Sequence, residues 1–542
     1  MTGGTARVRM TESGMTAEGA ADAGAAQLLD VTAYRTALLR SPTPDMMSRV
    51  GDMLFAARQE VEAVRLVLEV ASRYLDDGRF SLAAAMAILR YTVRYDIAES
   101  LLRNALRCQA DNIQAQAFLA HVRMARGDVA DGCALFSGMM RRYPDERAAI
   151  CEYMSTSLLQ VGYPMESLKI LQSYLETGQA TALLLKNVGC ALLCVNRSAE
   201  AIPWYERAVA LDAAGAAAAQ SEYACALLKA GRLGEGWALY ARRGLFERNL
   251  IAGDRAAWFL ALPRLRPGDE VAGRRIILFQ EQGLGDTLQF IRFVPDLLAK
   301  GAAVTILVPR TLVRLLAQSC PGASVREARS FAREEGYDYI LPIPDLPHIA
   351  GVMSERDIPA PASYLRADPG DVARFAALLP ERRPRIGVVW AGERRMQSAP
   401  ALLDQRRSTT LAALGAAVTP VDATLVSLQF GGPRGELAGW TGQALCDPMD
   451  AVRDMADTAA IMANLDLVIS VDTSPVHLAG AVGCPVWMIS REDACWRWGD
   501  SGERSAWYPG MRLFRARERS LVPALQEVGA ALQIWVKQWH PS

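Results

Sequence analysis

The stretch LDLVISVDTSPVHLAGAVGCPVWMIS, residues 465–490, decides how the second half of the chain folds. An apolar run at 465–471 ends at the polar sequence DTSP, 472–475. Small residues and one histidine follow, and a second apolar run occupies 485–489. This order indicates a buried strand, a tight loop, a helix and another strand, which is the unit of a parallel sheet covered by helices.

The same alternation continues on both sides of this stretch. Short apolar runs and amphipathic segments alternate over 274–365 and again over 385–542, and a proline-bounded linker, 366–384, separates the two sets. We therefore predict two Rossmann-like, doubly wound α/β domains facing one cleft. Ligands of such sheets bind beyond the carboxyl ends of the strands, so the loops that follow the strands are the candidate site.

One such loop suggests phosphate binding. Ser474 is predicted to cap a helix and Pro475 to occupy its first position. Backbone N–H groups at that helix start attract phosphate. Asp472 and Thr473 are candidates to bind ribose or base hydroxyls, and His477 to donate to a phosphate. The alternative is that Ser474 is only a cap and His477 is packed in the core.

A second loop, EQGLGDT at 281–287, also follows a predicted strand and opens a helix. Gly283 and Gly285 allow a ligand to approach the backbone closely. Asp286 lies at the helix start, where a carboxylate could take a proton from an acceptor hydroxyl. The alternative is that Asp286 only caps the helix.

The first half of the chain is built from a repeat. Predicted turns recur at intervals of 34 or 35, at Gly127, Gly162, Asn196 and Gly231. A small residue stands seven positions before each turn and another five after it, and a large apolar residue stands nine after it. Small residues let two helices approach, and Gly or Asn tolerates a left-handed turn. The pattern resembles the tetratricopeptide repeat (TPR), with about six copies over 45–245.

Composition limits the remaining classes. The chain has 542 residues, with 59 Lys+Arg and 59 Asp+Glu, and this balance gives no general reason to expect nucleic-acid binding. No apolar run is long enough for a membrane span. We predict a disordered tail at 1–27, a repeat domain at 28–245 and a joint at 246–273. The ten scattered cysteines favour reduced thiols and a cytoplasmic protein.

The two loops together carry a family resemblance. EQGLGDT with VISVDTSPVHLAGAVGCPVW resembles the GT-B glycosyltransferases of the heptosyltransferase type, glycosyltransferase family 9. The fold implied is an α-helical TPR solenoid followed by two Rossmann-like domains (GT-B). The resemblance implies Asp286 as candidate base and Asp472, Thr473 and His477 as donor-loop residues, with Ser474, Gly283 and Gly285 beside the donor.

The resemblance also implies a basic residue after the predicted strand that ends in WAG, residues 390–392. Arg407 is our choice to neutralise a departing phosphate, with the other candidates being Arg394, Arg395 and Arg406. His348 is a secondary acid/base candidate, and Trp496 could stack on a base or sugar. No metal-ligand cluster is visible in the sequence, so we expect neither a metal nor a cofactor beyond the nucleotide-sugar substrate.

Repeats fused to such domains also resemble bacterial protein glycosyltransferases, including those that modify flagellin. The resemblance implies a flagellin-like protein acceptor on the concave TPR face and Ser/Thr O-glycosylation, with a donor such as CMP-activated pseudaminic acid. Two alternatives stay open at this point. One is a TPR scaffold with an inactive transferase domain, and the other is an enzyme that glycosylates a glycan or lipopolysaccharide.

Overall fold

A computed structural model describes residues 31–56, 59–212, 216–243, 259, 261–328 and 336–540. The predicted tail at 1–27 and much of the predicted joint lie outside these residues. The described chain forms two compact units. One contains the residues up to Tyr223 together with Arg394–Asp404, and the other contains Ala224–Glu393 together with Gln405 onward.

The first unit is made of helices that pair as successive hairpins, as the repeat pattern predicts. They are α1 (Val31–Arg40), α2 (Pro44–Ala56), α3 (Glu60–Arg73), α4 (Gly78–Tyr91), α5 (Tyr95–Cys108), α6 (Ile113–Ala125), α7 (Val129–Arg142), α8 (Arg147–Gln160), α9 (Pro164–Leu175), α10 (Ala182–Cys194) and α11 (Ser198–Leu211). The next hairpin is α12 (Ala216–Lys229) with α13 (Leu233–Tyr240).

The predicted turn residues have the backbone conformation that the repeat requires. Gly127, Gly162 and Gly231 have φ values of 106°, 81° and 80°, and Asn196 has a φ of 59°. This is the left-handed region, which glycine and asparagine tolerate best. The TPR prediction is confirmed at these turns.

The small residues of the repeat are explained by helix packing. A Cβ added at Gly189 would lie 2.8 Å from the Tyr205 ring, and one at Gly236 would lie 2.7 Å from Leu228. The two helices of each of these hairpins are therefore too close for a larger side chain, and the large residue of the partner helix fills the space above the glycine.

One segment from the second half of the chain belongs to the first unit. Within Arg394–Asp404, Ser398 Oγ lies 2.9 Å from Tyr95 Oη. Leu402 is buried in an apolar cluster that includes Phe136 and Met154. This packing accounts for the apolar residues in the stretch ERRMQSAPALLDQ, residues 393–405.

The boundary between the two units falls inside the last repeat, whereas the sequence places it after residue 245. The reason is aromatic packing within the second unit. Trp237, on α13, is 1% exposed, and its ring centroid lies 5.8 Å from Phe290 and 5.4 Å from Trp496. The last repeat helix is therefore part of the core of the second unit.

The second unit contains two all-parallel sheets. The strands are β1 (Arg275–Phe279), β2 (Ala303–Val308), β3 (Ser324–Glu327), β4 (Tyr339–Pro342), β5 (Arg385–Val389), β6 (Thr424–Ser427), β7 (Leu445–Cys446), β8 (Leu467–Val471), β9 (Val486–Ser490) and β10 (Met511–Arg515). The first sheet has the order β3-β2-β1-β4 and the second the order β10-β9-β8-β5-β6-β7. The two Rossmann-like sheets confirm the predicted fold class.

Helices connect and cover these strands. They are α14 (Leu284–Phe290), α15 (Val294–Ala299), α16 (Arg310–Ser319), α17 (Leu346–Ile349), α18 (Pro369–Ala376), α19 (Ser398–Arg407), α20 (Leu411–Val418), α21 (Met455–Met462), α22 (Ser474–Val482) and α23 (Val522–Gln538). Of α19, only residues 405–407 belong to the second unit. Among the described helices we find none that is both long enough and apolar enough to cross a membrane.

The strand orders locate the switch points, where the chain leaves a central strand in opposite directions. In the first sheet this point lies between β1 and β4, and in the second between β5 and β8. Ligands of open parallel sheets bind beyond the carboxyl ends of the strands at such points. The segments that follow these four strands, loops and first helices together, contain the sequence-predicted residues Gly283–Asp286, His348, Arg407 and Asp472–His477.

Candidate functional site

The loops of the two switch points meet through a glycine. Gly285 is buried on α14, which follows β1, and His477 is buried on α22, which follows β8. A Cβ added at Gly285 would lie 2.7 Å from His477 Cδ2. The absence of a side chain at Gly285 therefore allows α14 and α22 to approach closely. As a result, the loop that leads to Asp286 and the predicted donor loop lie side by side.

Asp286 is held by an arginine that the sequence analysis did not single out. Arg497 Nη2 donates to Asp286 Oδ1. The second carboxylate oxygen, Oδ2, lies 3.2 Å from the position that a Cβ would take at Gly283. The N-cap of α14 is Gly283, so Asp286 does not occupy the capping position that the alternative reading gave it.

Arg497 is fixed on several sides. Its Nε donates to Gln289 Oε1 at 2.7 Å, and its Nη1 to Cys495 Sγ at 3.2 Å. The guanidinium carbon lies 4.2 Å from the centroid of Trp496. Burial opposes the charge, but Asp286, Cys495 and Tyr240 together outweigh it and raise the pKa of Arg497. Arg497 thus stays charged next to the candidate base.

Trp498 contacts two residues of the predicted donor loop, Asp472 and His477. Trp498 Nε1 donates to Asp472 Oδ2 at 3.0 Å. The Trp498 ring stacks on His477, with centroids 5.5 Å apart and planes inclined by 29°. The helix α22 begins at Ser474 with Thr473 as its N-cap, one residue earlier than the predicted Ser474 cap.

His477 is placed within the packing between the two sheets. It is 7% exposed, and its Nδ1 lies 2.9 Å from Tyr508 Oη. Burial, with a smaller contribution from Arg497 and Arg292, lowers the pKa of His477 well below 6.5. The ring is therefore neutral near pH 7, and this geometry resembles the packed alternative of the sequence analysis more than a charged phosphate ligand.

Acidification should destabilise the protein through His477. The folded pKa lies below the ordinary 6.5, so below pH 6.5 the unfolded chain binds a proton that the folded chain does not. The stabilisation is complete above pH 6.5 and falls by about 1.4 kcal/mol per pH unit until the folded pKa is reached. Between pH 7.5 and 5, the melting temperature should fall more steeply for the wild type than for His477→Gln. Parallel curves would contradict the buried, neutral ring.

The arginines after β5 are divided between the two units. Arg407 Nη2 lies 2.8 Å from the position of a Cβ at Gly392, three residues beyond the end of β5. Arg406 Nη2 lies 3.1 Å from Asp493 Oδ2. Arg394 and Arg395 belong to the first unit, which contains the repeats and is called the repeat unit below. There Arg395 pairs with Asp404 at 2.8 Å. Arg406 and Arg407 are therefore the arginines beside the β5–β8 switch point.

The loops after β1 and β4 are joined by a buried ion-pair cluster. Arg243 Nε donates to Glu281 Oε1 at 3.1 Å, and Arg243 Nη1 to Asp345 Oδ1 at 2.5 Å. Arg264 also donates to Asp345. Two arginines balance two carboxylates here, as buried charges require. His348 follows Asp345 on α17, and burial lowers its pKa.

Sequence reasoning missed Arg497, Trp498 and this ion-pair cluster. The sequence signal for Arg497 and Trp498 is the stretch CWRWGD, residues 495–500, which follows the carboxyl end of β9. Of that stretch only Trp496 was selected, as a ring to stack on a ligand. Trp496 lies in the aromatic core with Trp237 and Phe290, so its role is packing. In the described part of the chain, no group of three or more His, Cys, Asp or Glu side chains could hold a metal ion.

The fold and site define a class: TPR helices followed by two Rossmann-like parallel sheets, with polar loops at both switch points. No protein-family model matches the chain. Among curated proteins it is similar to Protein FlbA of Caulobacter vibrioides, at 27% identity over 518 residues, covering 86% of this chain and 83% of FlbA.

Two solved structures were also found to be similar. A glycosyl transferase family 9 protein from Veillonella parvula matches with a TM-score of 0.36 and 12% identity, covering 50% of this chain and 99% of that one. An O-GlcNAc transferase from Thermobaculum terrenum matches with a TM-score of 0.26 and 15% identity, covering 79% of this chain and 93% of that one.

Proposed function

We propose that this protein is a glycosyltransferase that moves a sugar from a nucleotide-sugar to a Ser or Thr hydroxyl of a protein acceptor. The observation that supports it is the joining of the two loops. A carboxylate, Asp286, and a helix start, Ser474, come from different sheets, and Arg497 and Trp498 contact the Asp286 and Asp472 side chains. A base and a phosphate cradle are the two parts that sugar transfer needs.

In the proposed reaction the acceptor hydroxyl attacks the anomeric carbon of the sugar. A new carbon–oxygen bond forms, the bond from the anomeric carbon to the phosphate oxygen breaks, and the nucleotide leaves with that electron pair. Asp286 receives the hydroxyl proton. Gly283, with no side chain, leaves room beside Asp286 Oδ2, and this is where we place the hydroxyl.

The donor is proposed to bind after β8 and β5. Backbone N–H groups of Ser474 and its neighbours face the phosphates at the start of α22, and Arg407 adds positive charge as the nucleotide departs. Asp472 and Thr473 bind donor hydroxyls. We propose that arginine and helix-end charge stabilise the leaving group, so the reaction as written uses no metal ion. His348 remains the alternative proton acceptor.

The acceptor is proposed to be held by the repeats. Stacked helical hairpins present an extended surface on which peptides and partner proteins bind. By resemblance we infer a flagellin-like acceptor, a CMP-activated nonulosonic acid such as pseudaminic acid as donor, and a reaction in the cytoplasm. A soluble protein acceptor gives the repeats a role that a lipopolysaccharide acceptor would not.

Nucleotide binding tests the donor part of the proposal. CMP, UDP, GDP and ADP are each added to the full chain in thermal melts, since a ligand at 100 times its Kd stabilises the folded state by about 2.7 kcal/mol. We expect one of them to raise the melting temperature. Arg407→Ala should weaken its binding by about 1–3 kcal/mol through loss of a charge-assisted hydrogen bond.

The matched control is Arg394→Ala, which changes the same residue type in the same stretch but within the repeat unit. It should leave nucleotide affinity unchanged. No stabilisation by any of the four nucleotides would overturn the donor assignment. Binding followed by no mass increase of a flagellin acceptor, with CMP-pseudaminic acid supplied, would overturn the acceptor and donor identities.

A further inference from the structure

We propose that Arg497 is a positioning residue for Asp286, which fixes one carboxylate oxygen so that the other faces the acceptor hydroxyl. This inference rests on the proposed function and adds a residue to it. Arg497 lies on the loop after β9, in the second sheet, whereas Asp286 follows β1 of the first sheet. One sheet therefore orients the candidate base carried by the other.

The two oxygens of Asp286 have different surroundings. Oδ1 accepts from Arg497 Nη2, whereas Oδ2 lies 3.2 Å from the position of a Cβ at Gly283. Gly283 has φ −68° and ψ 170°, which any residue adopts, so backbone conformation does not demand glycine there. The space that the missing side chain leaves beside Oδ2 is the feature a hydroxyl acceptor would use.

Arg497 is itself too constrained to move with the carboxylate. Its side chain is 10% exposed and that of Asp286 is 18% exposed. Gln289 and Cys495 accept from its other nitrogens, and its guanidinium packs against Trp496. Because Trp496 belongs to the aromatic core, the guanidinium plane is held in one orientation. A planar, fixed donor removes the rotational freedom that a terminal carboxylate otherwise has.

The consequence concerns the rate and not the binding of the donor. Holding a reacting group in its productive geometry lowers the barrier, and a displacement of about 1 Å can cost about 10²-fold in rate. Arg497 contacts Asp286, while the proposed donor ligands are Arg407 and the start of α22. Loss of the guanidinium should therefore lower kcat and leave the KM for the donor nearly unchanged.

A double-mutant cycle in the full chain tests this. Arg497→Gln should lower kcat about 10–100-fold with a change in donor KM below about threefold, and Arg497→Lys should restore part of the loss because it keeps a cation near Oδ1. In an Asp286→Asn background the Arg497→Gln change should cost less than about threefold, because the carboxylate that Arg497 is proposed to position is gone. Arg512→Gln, an exposed arginine on β10, is the control.

Arg497→Lys keeps the test decisive if Arg497→Gln does not fold, because it keeps the charge but loses the planar guanidinium, and its loss in kcat should also shrink in the Asp286→Asn background. Gly283→Ala puts a methyl group beside Oδ2 without touching Arg497, and it should lower kcat about tenfold, again only when Asp286 is present. Equal losses with and without Asp286 in the Arg497→Gln or the Arg497→Lys cycle would overturn the positioning role while leaving the proposed function standing. A wild-type chain that binds nucleotide but transfers no sugar would overturn both.

Discussion

Replacing Asp286 with asparagine should lower the rate of sugar transfer about 10²–10⁴-fold, the usual contribution of a general base. Asparagine has nearly the same size and keeps an oxygen that can accept from Arg497, but it cannot take the hydroxyl proton. The fold and the nucleotide affinity should therefore survive. The measurement is the transfer rate at saturating donor, together with a thermal melt and a nucleotide titration of the same sample.

The matched control is Asp296→Asn. Asp296 also lies in the first turn of a short helix, α15, and pairs with Lys300 at the surface. That variant should transfer sugar at the wild-type rate. If Asp286→Asn stays within a few-fold of wild type, Asp286 is not the base, and proton removal passes to His348 or to solvent.

The sequence predicts the fold well because each element has its own local signal. The repeat is visible since Gly127 and Asn196 need a left-handed backbone and since Gly189 and Gly236 lie where two helices nearly touch. These are constraints on single residues, so they appear at fixed spacing. Buried parallel strands such as β8 are likewise visible as short apolar runs bounded by turn residues.

The sequence predicts the site only in part, because contacts between sheets leave no spacing rule. The loops of Asp286 and Asp472 were found because each follows a strand. Arg497 could not be assigned to Asp286, since 211 positions separate them and only the fold brings them together. Trp498 was missed for the same reason, and its indole N–H donates to Asp472.

The stretch 394–407 shows the opposite case, because residues that are close in sequence belong to different units of the fold. Arg394 and Arg395 were candidates for the phosphate alongside Arg406 and Arg407. The structure assigns the first pair to the repeat unit and the second to the unit that carries the sheets. Leu402 explains this division, because its side chain is buried among residues of the repeats. Sequence proximity to a strand end was therefore an insufficient guide.

A fragment that begins at residue 250 should fail to fold, whereas one that begins at residue 213 should fold. The first lacks α12 and α13, and with them Trp237, which is packed against Phe290, Trp496 and Trp507. Loss of a buried tryptophan costs about 3–5 kcal/mol. The whole stability of a typical domain is only about 5–15 kcal/mol.

Charge adds to this loss. Without Arg243 the buried carboxylates of Glu281 and Asp345, 0% and 2% exposed, would retain only Arg264, which pairs with Asp345. Removing one partner of a buried ion pair costs about 3–5 kcal/mol. The two losses together, about 6–10 kcal/mol by the same principles, take most of the stability of the sheet-bearing unit.

Circular dichroism melts and gel filtration of the two fragments measure the outcome. We expect a cooperative transition for the fragment 213–542 and aggregation or a non-cooperative melt for 250–542. Trp237→Ala in the full chain is the matched point change and should lower the melting temperature of the sheet-bearing unit. Equal melting temperatures for the two fragments would show that α13 contributes nothing to this core, and the repeats would then end, as a folding unit, at residue 245.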